Sequence, residues 1–158
     1  DRALSERCIL GFNSGPPMGP SAYNNNVQIF QTPDTVVILN EMVHNVRIIP
    51  LDGRPHLAPD VRQWVGDSRG HWEGNTLIVD TTNFLRETNF TGSSANLHLV
   101  ERFTRVAQDT ILYEVTIEDP EVFTESWQMR MPLYRRQEEN ARLLEYECYA
   151  YLEYGRGE

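Results

Sequence analysis

Thr110-Ile-Leu-Tyr-Glu-Val-Thr-Ile-Glu118 decides the fold class. Ile111, Tyr113, Val115 and Ile117 alternate with Thr110, Glu114, Thr116 and Glu118, and Leu112 is the one exception. A period of two sends alternate side chains to opposite faces, so this stretch reads as a half-buried β-strand. The run Leu97–Val106 precedes it across Ala107-Gln108-Asp109, which makes the pair a hairpin.

The same reading extends in both directions. His71–Glu73 and Thr76–Thr82 flank Gly74-Asn75, a strong hairpin signal. Val27–Gln31 is a short strand ending at Thr32-Pro33-Asp34. Thr35–Ile49 is rich in β-branched residues and reads as one long strand. Trp127–Tyr134 and Leu143–Tyr154 read as the last two strands, joined by the charged turn 135–140. Residues 1–26 are irregular, with three glycines and three prolines between Gly11 and Pro20. Residues 54–70 and 83–96 read as long loops, the first with one helical turn around 60–64. The expectation is an all-β, mainly antiparallel barrel or closed sandwich of about eight strands, built as one domain over residues 1–158.

Composition narrows the chemistry. The chain has 158 residues, and all 14 of its basic residues are arginine, against 23 acidic ones, for a net charge of −9. Without lysine there is no Schiff base, no pyridoxal anchor and no P-loop lysine. The negative charge argues against nucleic acid and against anionic membrane surfaces. No window reaches the roughly 18 apolar residues of a membrane span. No cofactor signature is present, and any positive charge in a site must come from arginine, histidine or a metal. Arginine binds planar anions with a fixed fork.

The chain opens on Asp1-Arg2-Ala3-Leu4-Ser5 and is expected to be a mature or trimmed product. Its two cysteines, Cys8 and Cys148, lie near opposite ends. In an exported protein they would form one disulfide, stabilising by about 4–5 kcal/mol in the chain-entropy model. The alternative is two buried free thiols.

Candidate site residues fall in two segments. On the long strand, Glu41 and Arg47 share a face and His44 lies on the other. Buried there, they need partners, and a Glu41–Arg47 ion pair is the bland account. Trp64 to Gly74 is the densest segment, with Trp64, Asp67, Ser68, Arg69, His71, Trp72 and Glu73. Gly66-Asp67-Ser68-Arg69-Gly70 fits the string of a serine hydrolase elbow, but lacks the strand before it and the helix after it, so it reads as a turn. His71-x-Glu73 with His44 is the one metal-like set, and a surface pair beside a turn accounts for it better. Asp80 and Glu101 are further carboxylates whose spacing alone places them nowhere.

Three runs carry a resemblance. They are Leu51-Asp-Gly-Arg-Pro-His56, Trp64-Val-Gly-Asp-Ser-Arg-Gly-His-Trp-Glu-Gly-Asn-Thr-Leu-Ile-Val-Asp-Thr-Thr-Asn-Phe84, and Gly92-Ser-Ser-Ala-Asn-Leu-His-Leu-Val-Glu-Arg-Phe-Thr-Arg105. With Tyr23-Asn-Asn-Asn26, they resemble an uncharacterised family of exported bacterial proteins. The resemblance implies a periplasmic or extracellular location and no particular activity. The chain departs from that pattern after Cys148, where it reads Tyr149-Ala-Tyr-Leu-Glu-Tyr154. Gly70-His71-Trp72 is also faintly similar to the Gly-x-Trp of lipocalins.

Three functions follow as expectations. The first is an exported β-barrel that binds a small apolar or amphipathic molecule, or a protein partner. Its polar set would be Tyr23, Glu41, His44, Arg47, Arg102 and Tyr113, with Trp64, His71, Trp72 and Glu73 at the mouth. The second is a cofactor-free acid–base enzyme with Glu41, His44 or His71 as its catalytic group. The third is an oligomeric or structural subunit of an envelope assembly.

Overall fold

The structure is a computed structural model, which describes residues 3–12, 14–88 and 90–147. Among these residues it holds eight antiparallel strands in two sheets. The first sheet is β1 (Val27–Gln31), β2 (Thr35–Asn40) and β3 (Val46–Pro50), in that order. The second is β4 (Asp67–Glu73), β5 (Thr76–Thr82), β6 (His98–Ala107), β7 (Thr110–Glu118) and β8 (Trp127–Tyr134), also in chain order. The all-β, antiparallel expectation holds in its sandwich form. Among the described residues the terminal strands β1 and β8 do not pair, so no closed, lipocalin-like barrel forms.

Alternation builds the core. Tyr113, Val115 and Ile117 of β7 are buried, and so are their cross-strand partners on β6: Phe103, Glu101 and Leu99. Leu77 and Val79 of β5 continue that inner face. Val36, Ile38 and Ile49 of the small sheet close over it in one apolar cluster. Fully burying such side chains stabilises by roughly 1.5–3 kcal/mol each. The N-terminal segment contributes Met18 to the same cluster.

The long strand expected over 35–49 is two strands. The chain breaks at a 3₁₀ turn, Met42–His44, where Val43 and His44 take left-handed φ values of 51° and 50°. A β-branched residue rarely adopts that conformation, so sequence pattern gave no sign of it. Asn45 closes the reversal by donating its backbone N–H to the Met42 carbonyl at 3.3 Å. The expected face assignment therefore shifts. Arg47 points inward opposite Ile38, and Val46 and Ile48 point out.

The loop expected over 54–70 ends sooner, because Asp67 to Gly70 are already strand. Gly70 reads as a breaker but serves packing. A Cβ there would meet Leu51 Cδ2 at 2.7 Å and Ile49 Cγ2 at 2.8 Å, so its absence lets the end of β3 lie against β4. Of the strand expected over 143–154, residues 143–147 are described and are not strand, and the rest lies outside the described residues. No helix among the described residues is long and apolar enough to cross a membrane.

Gly70→Val is expected to destabilise the protein by about 1–3 kcal/mol, the usual cost of overpacking. Urea unfolding measures it. A loss below a few tenths of a kcal/mol would show that β3 does not rest on β4 there.

Candidate functional sites

The predicted site residues form three groups, with Trp64 and Tyr23 each standing apart. Arg47 and Tyr113 meet inside the sandwich, on Glu101. Arg47 Nη1 donates to Glu101 Oε1 at 3.0 Å, and Nη2 pairs with Oε2. Arg47 Nε donates to Ser68 Oγ at 2.9 Å, and Nη2 also donates to Thr81 Oγ1 at 3.1 Å. The Tyr113 hydroxyl donates to Glu101 Oε1 at 2.9 Å and accepts the Met18 backbone N–H at 3.1 Å. Arg47 is 3% exposed and Glu101 is fully buried. Burial, and then the Glu101 charge, push the Tyr113 hydroxyl well above its ordinary range.

The expected Arg47 partner, Glu41, is replaced by Glu101, fifty-four positions further along the chain. Ser68 is a buried acceptor in β4 rather than an exposed nucleophile. Every polar group in this cluster is satisfied, so it clasps the two sheets together and offers nothing to a substrate.

Glu41 and His44 lie at the 3₁₀ turn, at one end of the small sheet. Glu41 is buried. Its Oε2 accepts the Asn26 side-chain amide at 2.7 Å and the Asn26 backbone N–H at 3.3 Å. Its Oε1 accepts the Leu144 N–H at 3.3 Å. His44 is exposed rather than interior, and its Nε2 accepts the Tyr146 N–H at 2.7 Å. Both residues therefore hold the C-terminal segment in place.

His71, Glu73 and Arg102 share the outer face of the large sheet near the β4–β5 turn. His71 Nε2 is 3.4 Å from Glu73 Oε1, and Arg102 is 3.5 Å from Glu73 Oε2. All three are exposed, so this pairing is weak. Trp72 is exposed on the same strand. Trp64 sits apart, half-buried in a loop, where the Thr88 hydroxyl donates to its carbonyl at 2.7 Å. Tyr23 is exposed and meets Phe12 edge to face at 5.7 Å. These residues do not form the mouth of a barrel, because there is none. Cys148 lies outside the described residues, and the Cys8–Cys148 bridge with it.

Sequence reasoning missed a fourth cluster, a ladder of alternating charge. Arg69 Nη1 donates to Asp67 Oδ1 at 2.7 Å. His56 Nδ1 lies 2.9 Å from Asp67 Oδ2, and His56 Nε2 lies 2.8 Å from Asp80 Oδ1. His98 Nε2 lies 2.8 Å from the other Asp80 oxygen, and His98 Nδ1 lies 3.1 Å from Glu118 Oε2. The chain crosses β4 to β7 and ties down the loop that carries His56. A neutral imidazole has a single N–H, so a ring set between two carboxylates serves both only when doubly protonated. Consistently, the hydrogen bond to Asp80, and then that to Glu118, raise His98 to about 9 against the opposing effect of burial. The bonds from His98 and then His56 hold Asp80 below the usual carboxylate range. Both ring nitrogens of each histidine are engaged by carboxylates, and the cluster straps the loop to the sheet. The signal in the sequence was faint: Asp80 and His98 fall on outward positions of adjacent strands.

Searches with protein-family models, of curated proteins and of solved structures found no match to this chain.

Two predictions follow from these clusters. Glu101→Gln or Arg47→Met should each cost about 3–5 kcal/mol in chemical denaturation, because one charge is left buried and unpaired. The double variant Arg47→Met/Glu101→Leu should recover much of that loss. An exposed or mobile pair would instead give single variants near wild type.

The His98 pKa is higher folded than unfolded, so its stabilisation is fully present below about 6.5. It fades as pH rises through about 9. The melting temperature of the wild type should therefore exceed that of His98→Gln at pH 6, and the two should converge near pH 9.5. Parallel curves across that range would remove His98 from the ladder.

Proposed function

We propose that this chain is an exported, partner-binding β-sandwich that assembles with a second copy through the outer face of its three-stranded sheet. One observation carries the reading. The residues facing out from β1, β2 and β3 include Phe30, Val37, Leu39, Val46 and Ile48, in adjoining cross-strand rows. The uncharged Gln28, Thr35 and Pro50 complete that face. Phe30 is 46%, Val46 49% and Ile48 63% exposed. In a chain of net charge −9, this face carries no charged side chain. Contiguous apolar surface of this kind marks interaction sites. It is also a place where two identical acidic chains can meet without opposing like charges. A two-fold contact uses the same patch on both copies, and sheets pack face to face readily. The motif resemblance supports export.

The other expectations have less support. A ligand enclosed in a barrel needs a central cavity, and the centre of the sandwich is occupied by the apolar cluster and the Arg47–Glu101 clasp, with the clefts opening at the β1–β8 edge instead. An acid–base enzyme needs Glu41 or His44 free in a pocket. Both oxygens of Glu41 are engaged, and so is one ring nitrogen of His44.

Sedimentation equilibrium at about 100 μM tests the proposal, a concentration suited to a modest interface. The wild type is expected at twice 18.3 kDa. Ile48→Asp, at an exposed position, is expected as a folded monomer. A monomeric wild type, or a dimer that Ile48→Asp leaves intact, overturns the reading.

A further inference from the structure

We propose that the free edge of β1 accepts an extended, acidic and apolar strand from a partner protein. This edge borders the outer face of the same sheet at Gln28 and Leu39, but the proposal rests on the backbone groups of the edge and does not depend on assembly through that face.

Two hydrogen bonds fix which backbone groups are free. Glu41 N–H donates to the Asn26 carbonyl at 2.9 Å, and Thr32 N–H to the Thr35 carbonyl at 2.9 Å. In the β1–β2 register, Asn26 opposes Glu41 and Thr32 opposes Thr35 on either side of the paired residues. Hydrogen-bonded pairs alternate along an antiparallel ladder. Gln28/Leu39 and Phe30/Val37 are therefore the bonded pairs within β1. The N–H and C=O groups of Val27, Ile29 and Gln31 point the other way, out of the sheet. β1 is terminal in its sheet, and among the described residues nothing pairs with that edge. A row of unpaired backbone groups is a template for another strand.

The surroundings specify which strand. Val27 and Ile29 share the inner face with Ile38 and Asn40, yet Ile29 is 40% exposed. They open onto a cavity of about 390 Å³ whose far wall includes Ile111 and Leu133. A second cleft, of about 710 Å³, shares Val27 and Arg135 with the first and continues past Leu39 and Leu143. The first lies in the gap between the two sheet edges, and the second wraps round β1 to Gln28 and Leu39, so the two flank β1 along its length. Arginines rim them: Arg105 and Arg135 on one cleft, Arg135, Arg136 and Arg142 on the other.

Four of the 14 arginines of an acidic chain thus gather on one seam. Arg135 stands 3.6 Å from Asp109, and Arg136 pairs with Glu138 at 2.9 Å. Arg105 bonds only backbone carbonyls, those of Ala107 at 3.4 Å and Gln108 at 2.9 Å. Arg142 meets no carboxylate among the described residues. The seam therefore offers unmatched positive charge beside apolar floor and free backbone donors. An extended segment with apolar side chains for the clefts and carboxylates for the arginines satisfies all three.

The test is a fluorescence anisotropy titration with a labelled, capped octapeptide of alternating glutamate and valine. It is run in the Ile48→Asp background, so the state of the outer face does not enter. A lysine–valine octapeptide of equal strand propensity is the control. The glutamate–valine peptide is expected to bind, and the lysine–valine peptide to bind at least tenfold more weakly. Ile29→Pro removes one outward N–H and no β1–β2 bond, so it should keep the fold by circular dichroism and weaken binding at least tenfold. Should Ile29→Pro fail to fold, Arg105→Glu/Arg135→Glu, two surface changes, should weaken binding by the same factor. The proposal is overturned by equal binding of the two peptides, by no binding of the acidic peptide, or by arginine variants that bind as well as the parent. It is also overturned if decanoate saturates the seam while the peptide does not, which would make the occupant a small amphipathic anion. Self-association abolished by Ile29→Pro would make the occupant a second copy, and that too overturns it.

Discussion

The structure depends on a guanidinium and a carboxylate that have no access to water. Arg47 comes from the small sheet and Glu101 from the centre of the large one, and they pair in a double contact between the layers. Two charges are costly to bury, and the cost is offset only when geometry and further hydrogen bonds are complete. Here they are. Ser68 accepts from the guanidinium Nε and Thr81 from Nη2, and Tyr113 caps the carboxylate. Tyr113 in turn holds Met18, so the irregular N-terminal segment is fixed by the same cluster. One polar knot joins the two sheets and anchors the N-terminal segment at Met18.

The apolar cluster and the Arg47–Glu101 clasp occupy the centre of the sandwich, so the open surfaces lie on its faces and at its edges. A lipocalin-like barrel would place its binding groups inside, and here the inside is occupied. The surfaces left are the uncharged face of the small sheet, the charge ladder across the large sheet and the open seam between β1 and β8. The ladder has its donors and acceptors paired among themselves, so it straps a loop to a sheet. The face and the seam are incomplete. One exposes apolar area, and the other exposes unpaired backbone beside arginines. The proposed partner binding rests on what these two surfaces lack.

Much of this was legible in the sequence where one rule acted alone. Alternation over Thr110–Glu118 marked β7 and its buried face, and Gly74-Asn75 marked the β4–β5 hairpin. The failures came where tertiary packing overrode local signals. Val43 and His44 reverse the chain in a left-handed conformation that β-branched Val43 disfavours, so a hairpin looked like one strand. Gly66 and Gly70 looked like loop markers, yet Gly70 is a strand residue emptied of side chain for Ile49 and Leu51. These errors propagated to the site. On a continuous strand, Glu41 was the natural partner of Arg47. Once the strand is broken, Arg47 faces the large sheet, and its partner is set by the register of β6. His56, Asp80 and His98 are scattered in sequence, and only the order of β4, β5 and β6 joins them.

The central claim is that the charged clasp is dry and the interior closed. Exchange of the Arg47 Nε–H with solvent, followed by nitrogen-15 NMR, tests it most directly. The account predicts a resolved Arg47 resonance that exchanges orders of magnitude more slowly than that of Arg130, which is exposed at the β7–β8 surface. An Arg47 Nε–H that exchanges as fast as Arg130 would mean that water reaches the clasp, and would return the interior to consideration as a binding site.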